Sequence, residues 1–367
     1  MEQIKDMLLA VTMAVLLLGL SVWCWMKSPD EYSESERRVL ASRPVLTADS
    51  FWSGEYAENF EDYAMDQFPV RDGFRGLKAA AELGIFRKMD HNGLYLCDGY
   101  VSKLEYPMQE KMLDHAADRF AYLYDTYMAD SDVHLYFSIV PDKNYFLASS
   151  GGYPAIDYEE LIEYMRRKME YMQYVDITAS LSLDDYYRTD THWRQENLLD
   201  TAWILAKAMG TDLQEKYETV TLEQPFYGVY SGQLALPLKP DRIQYLTSPV
   251  LEGCTVTSYD TGKPVQKTVC DMEAAMGKDP YEMFLSGSDA LLVVENPAAT
   301  SGRELIVFRD SFASSLVPLL IEGYSKVTLV DIRYVSGSMV GNFVSFDGQD
   351  VLFLYSTLLL NNSLALK

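Results

Sequence analysis

Near its N-terminus the chain holds an uncharged run, Met7–Met26 (MLLAVTMAVLLLGLSVWCWM). At about 1.5 Å per residue, a helix of that length reaches across the ~30 Å hydrocarbon core of a bilayer. A water-exposed surface cannot absorb such a run, so it either crosses a membrane or is removed as a signal sequence. A signal's apolar part is usually about 7–15 residues and ends in small residues. Here Val22-Trp23-Cys24-Trp25 is bulky, and Trp23 stands where a lipoprotein signal needs a small side chain. The sequence therefore predicts an uncleaved anchor over residues 1–27, with Trp23 and Trp25 in the interfacial aromatic belt. Basic residues flank the run on both sides among acids: Lys5 with Glu2 and Asp6, then Lys27, Arg37 and Arg38 with Asp30, Glu31, Glu34 and Glu36. Positive charge alone does not orient it.

About 340 residues follow, enough for one large or two ordinary domains. Residues 28–90 read as a membrane-proximal part. Ser28–Ser50 is a polar linker, followed by two amphipathic helices. The first, Phe51–Asp66, has Tyr56, Phe60 and Tyr63 at helical spacing. The second, Val70–Met89, has Phe74, Leu77, Ala81 and Phe86. Residues 91–367 read as the main domain, opening with a hairpin over Asn92–Leu104 around Asp98-Gly99. Apolar runs at Val133–Val140, Tyr174–Ile177, Glu304–Phe308, Lys326–Asp331 and Val351–Tyr355 read as strands. Between them lie helical patterns at Pro107–Met128, Tyr158–Met172, Gln195–Met209 and Phe312–Ile321. Such alternation predicts an α/β domain, a mainly parallel sheet with helices on both faces. From about 226 to 294 the rhythm fails, and the stretch reads as a β-rich insertion.

The formal net charge of −23 argues against nucleic-acid binding and against anionic membrane surfaces. Of four cysteines, Cys254 and Cys270 flank a segment centred on Asp260-Thr261-Gly262-Lys263. Two strands turning at Gly262 would bring them opposite each other, leaving a disulfide or two buried free thiols as the alternatives.

Two distant segments carry the chemistry: Tyr187-Arg188-Thr189-Asp190-Thr191-His192-Trp193 and Val307-Phe308-Arg309-Asp310-Ser311-Phe312-Ala313. Asp190 precedes His192 by two residues, and Ser311 stands where a strand hands over to a helix. A serine, a base to take its proton and an acid to orient the base are the three parts of a nucleophilic site. The helix N-terminus beside Ser311 favours a developing oxyanion. Asp310 or Ser311 as a simple helix cap is the alternative. No His- or Cys-rich cluster accompanies Asp190 and His192, so neither a metal nor another cofactor is expected.

Asp-Thr-His-Trp followed by Arg-Asp-Ser-Phe-Ala resembles the DHHW family, whose usual form is Asp-His-His-Trp and Lys-Asp-Ser-Tyr-Ala. That family is similar to the SGNH-hydrolase-like domain of the AlgX and AlgJ alginate O-acetylation proteins. Further landmarks are Ser33–Arg38, Asp66–Arg71, Asn92–Tyr95, Pro141–Lys143, Phe226–Gly228 and Asp331–Tyr334. The resemblance implies an SGNH-like fold with Ser311 as nucleophile, His192 as base and Asp190 as its orienter. It implies O-acyl, in particular acetyl, transfer to or from a cell-surface polysaccharide, with a membrane-bound O-acyltransferase as partner and the large domain outside the cytoplasm. Thr191 replaces the first histidine of the family name, and Arg309 replaces a lysine. Phe284–Ser288 departs from the family's Phe-Leu-Gly-Gly-Asn. Candidates for oxyanion or substrate contacts are therefore the Ser311 backbone N–H, Gly228, Ser288, Arg309 and Trp193. The same fold with a degenerate site, as a glycan-binding or envelope-assembly scaffold, is the second reading.

Overall fold

The computed structural model describes residues 2–213, 216–260 and 262–367. The chain divides into two units, Met1–Asn92 with Ser231–Leu238, and Gly93–Tyr230 with Lys239–Lys367.

In the first unit the apolar run forms a helix, Glu2–Met26. The helix over Gln3–Met26, with a mean hydropathy of 2.4 in its most apolar 18-residue window, is long and apolar enough for a membrane anchor or a signal sequence. The amphipathic segments are helical but interrupted. A Thr47–Ser50 capping box opens Ala48–Ser53. Gly54, left-handed at φ 83°, ends that helix before Glu55–Asp66 begins. The second segment is α-helical over Arg71–Ala80 and widens to a π turn at Ala81–Ile85. Two sequence landmarks meet here: Arg38 donates to both oxygens of Asp66, at 2.5 and 2.8 Å. Arg71 reaches Glu36 as well as Asp66.

The second unit is built on one eight-stranded sheet. Its strands are β1 (His134–Val140), β2 (Gln173–Tyr174), β3 (Thr255–Ser258), β4 (Val265–Lys267), β5 (Leu291–Glu295), β6 (Glu304–Arg309), β7 (Lys326–Val330) and β8 (Asp350–Ser356). The spatial order is β4-β3-β5-β7-β6-β8-β1-β2. β7, β6, β8, β1 and β2 run parallel; β5, β3 and β4 continue the sheet antiparallel. The central strands are apolar throughout because both faces are covered. Side chains alternate between two cores with a period of two. Leu305 and Val307 of β6 join Leu352 and Leu354 of β8 on one face, with Leu205, Phe312 and Leu316. Ile306, Phe308, Val351 and Phe353 face the other, with Phe120 and Leu161. The helices Leu199–Ala208 and Ala313–Leu316 thus cover one face, while Glu110–Leu123 and Tyr158–Lys168 cover the other.

The stretch 226–294 is not a separate insertion. Its β3, β4 and β5 extend the main sheet, and Gln244–Thr247 pairs with Glu218–Thr221. The expected helix Phe312–Ile321 is α-helical only over Ala313–Leu316 and tightens to 3₁₀ over Val317–Gly323. Pro318 lacks the N–H that an α-helical turn would use.

The turn at Gly262 forms, with the Gly262 N–H bonded to the Tyr259 carbonyl at 3.0 Å. The disulfide does not. Val256 pairs with Lys267, so the same register carried outward sets Cys254 across from Val269 rather than Cys270. Both thiols are free. Cys254 instead donates to the Val250 carbonyl at 3.2 Å, and Cys270 bridges to Phe284.

Candidate functional site

Ser311 lies two residues past the carboxyl end of β6, the edge where open α/β sheets bind ligands. Asp310, not Ser311, organises the turn. Its Oδ1 accepts from the Phe312 N–H at 3.0 Å, and its Oδ2 accepts from the Ser356 N–H at 2.8 Å at the end of β8. The hydroxyl of Ser311 is left to point at His192. The Ser311 backbone N–H donates no hydrogen bond among the described residues.

Asp190 and His192 sit in a tight loop whose stem is closed by the Tyr186–Trp193 bridge and by the Tyr187 N–H on the His192 carbonyl at 3.1 Å. The reversal folds the imidazole back over the carboxylate. Asp190 Oδ1 meets His192 Nδ1 at 2.7 Å and also accepts the His192 N–H at 3.1 Å. Asp190 Oδ2 accepts the Val229 N–H at 2.8 Å. With Nδ1–H donated to Asp190, the lone pair of Nε2 faces Ser311 Oγ at 2.8 Å. Asp190 is fully buried, whereas the His192 side chain keeps 12% exposure, so the array opens to solvent at its serine end. The imidazole lies against Tyr281.

The other sequence candidates occupy supporting places. Gly228 gives its N–H to Thr189 Oγ1 at 3.0 Å, so that donor is not available to an oxyanion. Its role is steric: a Cβ there would stand 2.4 Å from Asp190 Cα. Only glycine lets the chain pass close enough for Val229 to reach the carboxylate. Trp193 is buried and donates Nε1–H to the Phe312 carbonyl at 2.9 Å and to Ser315 Oγ at 3.0 Å. It ties the histidine loop to the serine turn rather than facing a substrate. Arg309 is buried as well. It donates to the Gly287 carbonyl at 2.6 Å, the Asp289 carbonyl at 3.0 Å and Ser314 Oγ at 2.7 Å. Ser288 lines a cleft with Asp260, Lys267, Asp271, Glu282 and Asp289. Of the oxyanion candidates, the Ser311 N–H alone is uncommitted beside the hydroxyl.

Three contributors were not tied to the site by the sequence. Asp241 anchors the loop, accepting from the Arg188 N–H at 3.1 Å and the Thr189 N–H at 2.8 Å. Tyr281 comes from a segment far along the chain. Lys143 belonged to the Pro141–Lys143 landmark, but nothing in the spacing tied it to the loop.

Among known structures, this chain aligns over 74% of its length with 93% of a protein from Eubacterium siraeum, at 22% identity and a TM-score of 0.57. The fold is like that of a DHHW family protein. Bacillus cereus PatB1, solved with a sulfonyl adduct, aligns over 73% of this chain and 97% of its own, at 17% identity and a TM-score of 0.57. The O-acetyltransferase domain of Pseudomonas putida AlgJ aligns over 73% of this chain and 92% of its own, at 15% identity and a TM-score of 0.47. No family model and no curated protein matches the sequence.

Proposed function

We propose that this chain transfers O-acyl groups, acetyl in particular, to or from a cell-surface polysaccharide through an acyl-serine at Ser311. The reading rests on one observation above the others: the unbroken Asp190–His192–Ser311 relay, at 2.7 and 2.8 Å, at the carboxyl edge of the sheet. His192 Nε2 takes the Ser311 proton as Oγ attacks the acyl carbonyl, and Asp190 stabilises the imidazolium that forms. The Ser311 N–H faces the oxyanion. Collapse of the tetrahedral intermediate expels the donor oxygen, which leaves with the proton from His192. A sugar hydroxyl or water then gives its proton to His192 and attacks the acyl-serine. Ser311 recovers the proton as the ester is released. The motif resemblance supplies the acetyl group and the glycan. It also supplies the extracytoplasmic placement of the domain and a membrane-bound O-acyltransferase as donor partner, while the single-pass anchor at residues 1–27 rests on the long apolar helix.

The decisive experiment is mass spectrometry of the intact chain after exposure to a chromogenic acetyl ester. A 1:1 acetyl adduct mapping to Ser311, absent in Ser311→Ala, is the expected result. Turnover that survives Ser311→Ala removes the mechanism. The scaffold reading has one observation in its favour: Ser286 and Ser288 replace the glycine and asparagine of the family segment. A glycan-binding protein without any adduct is the outcome that would favour it.

A further inference from the structure

Lys143 is the first residue of the helix Lys143–Gly151, which begins just past the carboxyl end of β1. It is 2% exposed. Its Nζ donates to the Tyr187 carbonyl at 2.9 Å and approaches the Arg188 carbonyl at 3.5 Å. The ammonium also stands 5.0 Å from the centre of the Tyr230 ring, whose hydroxyl donates to Thr191 Oγ1 at 3.0 Å. Residues 187, 188 and 191 belong to the loop that presents Asp190 and His192. A buried lysine held by neutral carbonyls at a helix N-terminus is an unfavourable arrangement for a cation, and a merely structural role does not call for it.

We propose that Lys143 is a positioning residue of the Asp190–His192–Ser311 array: its ammonium clamps the base of the Tyr187–His192 loop, and its charge favours the ionised Asp190 carboxylate that orients His192. The inference rests on the acyl-serine reading of Ser311. The charged groups that face it are Asp142 on its own helix, Asp190 in the loop and Asp241 beyond it. Burial pushes the ammonium down to about 7, against the attraction of these three carboxylates. The array therefore loses its clamp as pH rises through about 7. Activity falls as Lys143 deprotonates.

The test measures sulfonylation of Ser311 in the full detergent-solubilised chain, using a sulfonyl fluoride and intact-mass detection. Rates are followed from about pH 5 to pH 9 in the wild type, Lys143→Met and Lys143→Arg. The wild type is expected to lose rate as pH rises above about 7. Lys143→Met is expected to lose the alkaline limb and to react roughly 10–100-fold more slowly at its plateau, one factor of ten per ~1.4 kcal/mol of lost transition-state stabilisation. Lys143→Arg, charged throughout, is expected to lose the alkaline limb while recovering part of the rate. A wild-type rate that stays flat to high pH overturns the proposal, as does a Lys143→Met profile of unchanged shape. The wild-type curve decides even if Lys143→Met fails to fold. A wild-type Ser311 that never labels removes the acyl-serine reading and this inference together, whereas labelling with an unchanged Lys143 profile removes only this one.

Discussion

The imidazole of His192 lies flat on the phenol ring of Tyr281, with centroids 3.9 Å apart and planes 8° from parallel. Tyr281 is itself held, its hydroxyl 2.8 Å from Ser315 Oγ, which also receives the Trp193 indole at 3.0 Å. One hydrogen-bonded group thus fixes the plane of the base and the turn that carries Ser311. Tyr281→Leu is expected to lower kcat at least tenfold, one factor of ten per ~1.4 kcal/mol of lost transition-state stabilisation. Tyr281→Phe keeps the ring and forfeits one buried hydrogen bond, about 1 kcal/mol of stability. Steady-state kinetics and thermal melts of the two variants check both statements.

Replacements within the relay should be unequal. Ser311→Ala and His192→Ala should each lower acyl transfer by orders of magnitude and to similar extents, because the two act as a unit. Asp190→Ala should retain more activity, since Asp190 orients and stabilises the base without exchanging its proton. Ser311→Ala should change stability by no more than about 1 kcal/mol. Ester turnover and denaturant melts of the three variants give the ranking; a Ser311→Ala protein as active as the wild type would contradict it.

Gly228→Ala should disturb the site by crowding Asp190 while leaving every group of the array in place chemically. The new methyl would stand 2.4 Å from the Asp190 backbone and Cβ, and backbone there cannot yield cheaply. Overpacking of this kind costs about 1–3 kcal/mol. The Val229 N–H should draw away from Asp190, lowering kcat as well as Tm. A variant with wild-type melting and turnover would show that the loop has slack not evident in its packing.

The thiols of Cys254 and Cys270 should stay protonated and slow. Burial pushes Cys254 up to about 11 and Cys270 up to about 12. Thiolate is the reactive form, so an aromatic disulfide reagent should modify neither at neutral pH in the folded chain, and both after denaturation. Rapid native labelling of Cys270 would count against the packing described.

Stability should rise between about pH 7 and pH 9. Lys143 titrates lower folded than unfolded, so the unfolded chain binds the extra proton in this window, and unfolding becomes harder as pH rises. The cysteines and buried tyrosines are shifted upward and act in the opposite sense only above that window. Lys143→Met should flatten the slope. Urea midpoints at three pH values suffice to check it.

The meeting of Asp190, His192 and Ser311 was legible because each half of the set is local. Asp190 and His192 are two residues apart, and Ser311 follows an unmistakable β-strand, Glu304–Arg309. The alternation of strands and helices was legible for the same reason. What escaped was whatever depends on chain segments meeting. Lysine and tyrosine occur everywhere on surfaces, so nothing marked Lys143 or Tyr281 as buried beside the loop. The short strands of 226–294 read as an insertion because their pairing with β7, through β5, is set by a segment some thirty residues further on, as Val294 against Val327 shows. Gly228 was noticed for its N–H and matters for the side chain it lacks.

The assignment of Ser231–Leu238 to the N-terminal unit has a consequence for topology. Arg75 holds the Gly232 carbonyl at 2.8 Å, and Asn92 holds that of Gln233 at 3.2 Å. Gly232 runs so close to Ser35 that no larger residue fits. The polypeptide leaves the sheet-bearing unit at Tyr230, one residue past the Val229 that binds Asp190, and comes back at Lys239. The N-terminal unit is therefore not made of the first ninety-two residues alone; it is completed by eight residues borrowed from the middle of the larger unit's sequence. A chain beginning at Gly93 would leave Ser231–Leu238 without Arg75 and Asn92, the residues that hold its carbonyls, and that segment starts two residues after the Val229 whose N–H binds Asp190.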